Sequence, residues 1–155
     1  MEDRTIDILG LNETGLDNTI PDSQVDIEGY DILVGTDRNR NGGGVAFYVA
    51  QSLTYVNRQD LLSHEDLEIF TVEMKKPKSR HFLVITCYRL PDSKVEIFGK
   101  SESYLLKLDE GDKEGIIMGD TNCNLLSQTF DHKAEHLKFI TDIYSINRST
   151  NENYY

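Results

Sequence analysis

Short apolar runs rich in branched and aromatic residues, each closed by glycine, proline or a polar cluster, recur along most of this chain. That punctuation predicts strands. The run Thr5 to Asn12 (Thr-Ile-Asp-Ile-Leu-Gly-Leu-Asn) ends at Glu13-Thr14, and Asn18 to Ser23 then reads as a loop. Ile27 to Val34 predicts a second strand. The polar segment Asp37-Arg38-Asn39-Arg40-Asn41-Gly42-Gly43-Gly44 leads from it into Val45 to Ala50. A glycine-terminated polar connection between two strands is what a hairpin requires. Leu67 to Met74 alternates in part and predicts another strand, followed by a basic turn, Lys75 to Arg80. Phe82 to Tyr88 is the most β-prone run, and Pro91 stops it.

The stretch Gly115-Ile116-Ile117-Met118-Gly119-Asp120-Thr121-Asn122 predicts a buried strand with a polar mouth. Residues two apart on a strand share a face, so Asp120 and Asn122 are expected to emerge together. Two segments carry helical spacing instead. About Val95 to Asp109, the stripe is Ile97, Phe98, Leu105 and Leu108; in Lys133 to Tyr144 it is Leu137, Ile140 and Tyr144. Many strands with few helices predict α+β or a layered α/β sandwich. No repeat or linker divides the chain, so residues 1–146 read as one domain, or part of one, with a frayed tail over 147–155.

Composition narrows the function classes. With 155 residues, 38% hydrophobic content and a net charge of −11, the chain has the make-up of a polar, water-soluble domain. No run approaches a membrane span, and Met-Glu-Asp-Arg-Thr does not open a signal peptide, so an intracellular protein, nuclear or cytoplasmic, is expected. Cys87 and Cys123 are too far apart for a Cys-x-x-Cys motif and suit a reducing compartment. The acidity argues against a nonspecific nucleic-acid coat, which draws on Lys and Arg. It is compatible with an enzyme that holds a cation through carboxylates.

Three predicted strands end in polar residues: Asn12-Glu13, Tyr88-Arg89 and Asp120-Thr121-Asn122. Gathered at one edge, these ends would make a site for phosphoester chemistry. Glu13 and Asp120 would offer oxygen to a hard cation, and Asn122 would hold a phosphate or a water. Tyr88 and Arg89 would contact the phosphate. Taken singly, each has a plainer reading as a loop carboxylate, a strand aromatic or a solvated strand end. The Gly42-Gly43-Gly44 triplet enters a strand and has no following Lys-Ser/Thr, which argues against a nucleotide P-loop.

In this order, Leu-Asn-Glu-Thr (11–14), Ile-Pro-Asp-Ser (20–23), Gly-Tyr (29–30), Asp-Arg-Asn-Arg-Asn-Gly-Gly-Gly-Val-Ala (37–46), Cys-Tyr-Arg-Leu-Pro (87–91) and Gly-Asp-Thr-Asn-Cys-Asn-Leu-Leu (119–126) resemble the endonuclease/exonuclease/phosphatase superfamily. The likeness is closest to the apurinic-type endonuclease domain of non-LTR retrotransposons and reverse transcriptase-linked proteins. It implies an α/β fold, a layered two-sheet sandwich, that cleaves DNA phosphodiesters with Mg²⁺ or, in its place, Mn²⁺. Carried over by position, Glu13 is the metal-binding glutamate and Tyr88 the tyrosine at the scissile phosphate. Asp120 orients or activates the nucleophile, and Asn122 lies beside the phosphate. Arg38, Arg40 and Arg89 are expected contacts to the DNA backbone. The implied partners are DNA and a reverse transcriptase domain in a longer parent protein.

The chain departs from that pattern in several places. Gly15 stands where the family has a large aromatic, and Asn124 where it often has Asp. The opening strand with its asparagine and the closing aspartate and Ser-Asp-His elements have no counterpart. Asp131-His132 reads as a helix entry, and His64, His81 and His136 as surface residues. The fold is therefore expected to be incomplete at both ends, with impaired hydrolysis and exposed sheet edges open to self-association. An inert fragment or interaction module is the alternative, and a phosphatase of the same superfamily is the second.

Overall fold

Three of the apolar runs form one antiparallel sheet. Ile8–Asn12 (β1) and Tyr30–Val34 (β2) both pair with Val45–Ala50 (β3), giving the order β1-β3-β2. Paired on both sides, β3 is buried from Val45 to Val49. The β2–β3 pairing is the hairpin that the glycine-terminated segment predicts. The structure is a computed structural model. It describes residues 6–16, 19–35, 43–61, 67–91, 93, 94, 96–109, 113–123 and 132–143.

The second sheet has the order β4-β5-β6-β7, from Tyr55–Asn57 (β4), Leu67–Met74 (β5), Phe82–Arg89 (β6) and Gly115–Asp120 (β7). Its first two joints are antiparallel and the last, β6–β7, is parallel. Parallel neighbours need a crossover, and the helix Ile97–Asp109 (α1) lies in it. The inner face packs on β1 and β3 through Phe47, Phe70, Val72, Met74 and Val84, with the Phe47 and Phe70 rings 5.8 Å apart. The outer face meets α1: the Tyr104 hydroxyl bonds that of Thr71, and the Arg89 guanidinium lies 5.6 Å from the Phe98 ring centre. This is the layered two-sheet α/β sandwich that the sequence predicts.

The chain divides into two compact units, Met1–Asn122 and Cys123–Tyr155. Both sheets and α1 belong to the first. His132–Ile143 (α2) belongs to the second and buries Ala134 and Ile140. His132 opens this helix, as its reading as a helix-entry residue requires. Residues 144–155, and with them Tyr144 and the predicted frayed tail, lie outside the described residues, as do Asn124, Asp131 and His64. Among the described residues no helix is long and apolar enough to cross a membrane.

Two expectations change, and one strand appears that the sequence does not predict. β5 is buried along its whole length instead of alternating, because sheet packing covers one face and α1 the other. β4 is too short to show a period and escapes sequence reading. The stretch 115–120, expected to be a buried strand, is instead the edge of its sheet. Ile116 is 52% exposed and Ile117 39%. Among the described residues its one strand partner is β6, and an apolar run does not reveal how many neighbours it has.

His81, expected as a surface residue, has an acidic partner. Its Nδ1 lies 3.1 Å from Glu73, whose carboxylate also meets Arg58 and Lys113 at 2.7 Å each. The Lys113 hydrogen bond foremost, then those of His81 and Arg58, outweigh burial and hold the Glu73 carboxyl at about 2, below its ordinary 4.5. A carboxyl lowered on folding stabilises the fold above its unfolded pKa, and that contribution fades as pH falls toward the folded value. Stability is therefore expected to decline from pH 4.5 to about 2 through this group. Glu73→Gln should flatten that limb in urea titrations run across the window.

Candidate active site

The site forms where β1, β6 and β7 end together. The parallel register sets Tyr88 beside Asp120, and the β5–β6 register sets Glu68 on the other side of Tyr88. Asn12, the last residue of β1, ties the first sheet to this edge. Only one orientation of its amide satisfies all its neighbours. In it Nδ2 donates to Thr86 Oγ1 at 3.0 Å, and Oδ1 accepts the Asp120 N–H at 2.9 Å. The next residue, Glu13, is thereby delivered to Tyr88, whose hydroxyl donates to its carboxylate.

Tyr88 is only 4% exposed. The Glu13 hydrogen bond first, then burial and the charges of Glu13, Asp120 and Glu68, push its phenol up to about 12. It stays protonated at neutral pH and remains a hydrogen-bond donor. Glu13 has a left-handed backbone, with φ 54°. For a residue with a Cβ this costs on the order of 1–2 kcal/mol, and such strain gathers at functional sites.

Gly43 and Gly44 support that loop. Gly44 and Gly43 carbonyls accept the N–H groups of Thr14 (3.3 Å) and Gly15 (3.0 Å), and the Gly44 N–H donates to Glu68 Oε2 at 2.7 Å. Gly43 and Gly44 both sit at φ 93°. A Cβ on Gly43 would lie 2.5 Å from Glu68 Oε1, and one on Gly44 2.5 Å from Thr14 Oγ1. Gly43 and Gly44 therefore join two site-bearing elements as well as entering β3.

Asp120 and Asn122 are exposed beyond the mouth of β7. Asp120 Oδ1 accepts the Asn122 N–H at 2.7 Å, which fixes the carboxylate. Strand geometry ends at Asp120, and Asn122 turns left-handed at φ 49°, so the expected shared face is not kept. Its side-chain Nδ2 donates instead to the Arg89 carbonyl at 2.7 Å.

The expected phosphate contact at Arg89 is corrected by its burial. Successive strand residues point to opposite faces, so Tyr88 faces the site and Arg89 the α1 side. Arg89 is 3% exposed, and its guanidinium donates to the carbonyls of Thr121, Asn122 (2.7 Å) and Leu90 (3.0 Å) and to Ser93 Oγ (2.6 Å). It holds the 121–122 loop. Arg89→Lys keeps the charge but loses the planar fork, and should lower the urea-unfolding free energy by about 1–2 kcal/mol. Arg38 and Arg40 lie outside the described residues.

Glu13 and Asp120 present exposed carboxylate oxygens, the donor type a hard cation takes. Among the described residues no three His, Cys, Asp or Glu side chains gather closely enough to cage a metal. That donor set does not fit zinc in a closed site. It fits a hard divalent cation that keeps several waters and takes one or two carboxylates plus substrate phosphate. Burial, then the Asp120 charge, pushes the Cys87 thiol up to about 11, so it stays protonated at neutral pH.

No family model matches the sequence, and no curated protein does. Solved structures of the same fold do match. One is ANGEL2, a 2′,3′-cyclic phosphatase, in complex with adenosine-2′,3′-vanadate, with a TM-score of 0.59 and 17% identity over 96% of this chain and 50% of that one. Another is truncated TDP2 from Caenorhabditis elegans, with a TM-score of 0.52 and 11% identity over 81% of this chain and 53% of that one. The chain thus spans about half the length of these structures.

Proposed function

We propose that this chain carries a phosphoester-hydrolysing site, on a fold it shares with a cyclic phosphatase. The observation that carries the reading is the meeting of Glu13, Tyr88 and Asp120 at the joined ends of β1, β6 and β7. In the reaction a water oxygen bonds to phosphorus, the bond to the leaving oxygen breaks with its electron pair going to that oxygen, which takes a proton from solvent, and the attacking water's proton must be accepted. Asp120 is the exposed carboxylate placed to accept it. The protonated Tyr88 hydroxyl donates to a phosphoryl oxygen in exchange for Glu13, while Asn122, its side-chain amide held by the Arg89 carbonyl, fixes the loop that follows Asp120. Glu13 would hold Mg²⁺, whose Lewis acidity offsets charge building on the phosphoryl oxygens.

The finer reading is a DNA endonuclease of the retrotransposon type, supported by the order of motifs from Leu-Asn-Glu-Thr to Gly-Asp-Thr-Asn. In that case Arg38 and Arg40 remain as backbone contacts, and a reverse transcriptase domain in a longer parent is the natural companion. A second reading, hydrolysis of a small cyclic or terminal phosphate, is favoured by the burial of Arg89 and the net charge of −11. A small phosphoester needs fewer cationic contacts than a duplex. The flank of β7 that has no strand partner among the described residues also supports self-association by edge pairing, which sedimentation velocity over a concentration series reads directly.

Supercoiled plasmid and adenosine 2′,3′-cyclic phosphate, each with Mg²⁺ and with EDTA, separate the readings. Mg²⁺-dependent nicking supports the endonuclease, and ring opening alone supports the phosphatase. A folded chain that does neither is the inert module.

A further inference from the structure

Glu68 is an acidic residue in the middle of the molecule that the hydrolytic roles above leave unused. It is 2% exposed, within a strand buried along its whole length. A buried carboxylate is costly unless hydrogen bonds and structure reward it. Its Oε2 accepts the Gly44 N–H at 2.7 Å, and its other oxygen lies so close over Gly43 that a Cβ there would stand 2.5 Å away. The two carbonyls of this same dipeptide accept the N–H groups of Thr14 and Gly15, the pair that follows Glu13. Across the β5–β6 ladder Glu68 is paired with Tyr88, and the Tyr88 hydroxyl reaches Glu13. The contacts therefore close a ring from Glu68 through Gly43-Gly44, Thr14-Gly15 and Glu13 to Tyr88, and back.

We propose that Glu68 is a positioning residue, which fixes the strained Glu13 turn through the Gly43-Gly44 backbone without touching substrate. The left-handed backbone at Glu13 needs outside support to persist. The Thr14 and Gly15 amides supply it only while the glycine dipeptide is held, and Glu68 is the side chain seen holding it. The glycines are required because a Cβ on either would strike Glu68 or Thr14. Groups that orient a metal-binding residue from behind typically matter 10–100-fold in metal affinity or activity.

This assignment rests on the hydrolytic reading for its purpose but not for its test. Glu68→Gln keeps an acceptor for the Gly44 N–H at the same length, and Glu68→Ala removes it. In ¹H–¹⁵N spectra, Glu68→Ala is expected to move the amides of Gly44, Thr14 and Gly15 together, while Gly29 at the far end of β2 stays in place. Glu68→Gln should move Gly44 and leave Thr14 and Gly15 near wild type. If Glu68→Ala unfolds the chain, the Gln variant and Gly43→Ala, whose Cβ would displace the carboxylate, take its place. Gly43→Ala should move Thr14 and Gly15. Shifts confined to Gly44 in Glu68→Ala, or Thr14 and Gly15 unmoved in Gly43→Ala, overturn the proposal.

Activity gives an independent arm. Where the wild type hydrolyses phosphoester, Glu68→Ala should raise the Mg²⁺ concentration for half-activity roughly 10–100-fold, with Glu68→Gln restoring most of it. An unchanged Mg²⁺ dependence in Glu68→Ala counts against the role. A wild type without activity defeats the hydrolytic reading alone, because the amide shifts still decide the positioning.

Discussion

Gly119→Ala is expected to cost about 3 kcal/mol or more in unfolding free energy and to abolish whatever activity the chain has. Gly119 lies at φ 140°, a backbone that side chains rarely adopt. A Cβ there would stand 1.9 Å from the Cys87 carbonyl oxygen and 2.8 Å from its nitrogen. Both atoms belong to the β6 backbone, so no side chain can swing away to make room. Relief requires β7 to part from β6 at the one step that also sets Tyr88 beside Asp120. The urea midpoint should fall sharply, and the Asp120 N–H should lose its bond to Asn12. Gly99→Ala is the internal control: nothing lies within 4 Å of its Cβ, and it sits in a helix. It should gain roughly 0.5–1 kcal/mol.

The largest effect on chemistry is expected from Asp120→Asn, a loss of about 10²–10⁴ in kcat at saturating Mg²⁺. Asp120 is exposed, and an asparagine in its place keeps an oxygen for the Asn122 N–H, so the fold should be retained. What disappears is the group that accepts the proton of water. Unchanged circular dichroism with a collapsed kcat is the expected pair of results. A comparable drop in the urea midpoint would assign Asp120 to structure instead. Tyr88→Phe is milder in kcat, because it removes one donor to the phosphate and no proton acceptor.

Much of this arrangement is legible in the sequence because strand ends are marked twice, by the close of an apolar run and by the polar residues after it. Glu13, Tyr88 and Asp120 each stand at such an end, and the structure brings all three to one edge. Arg89 shows the limit of reading ends alone. The two-residue period that pairs residues on one face also sends Arg89 to the side opposite Tyr88, where burial makes it a clamp. Asn122 escapes the period altogether, since a left-handed turn follows the last strand residue.

Other features leave no local trace. Glu68 hides in a run buried on both faces, where polar alternation no longer reports orientation. The Asn12 bridge joins residues far apart in sequence, and only the packing of β1 on β6 and β7 reveals it. Likewise, the apolar character of Ile116 and Ile117 predicts burial, while the sheet order leaves them at an edge.

The most direct test of the hydrolytic site is a Mg²⁺ titration of phosphoester hydrolysis by the wild type and Glu13→Gln, with circular dichroism on both. Glu13→Gln keeps the side-chain length and an acceptor for the Tyr88 hydroxyl but removes the charge that would hold the cation. The site as described predicts Mg²⁺-dependent hydrolysis in the wild type and a half-saturating Mg²⁺ concentration at least roughly tenfold higher in the variant. A folded wild type without hydrolysis, or two superimposable titrations, would contradict it.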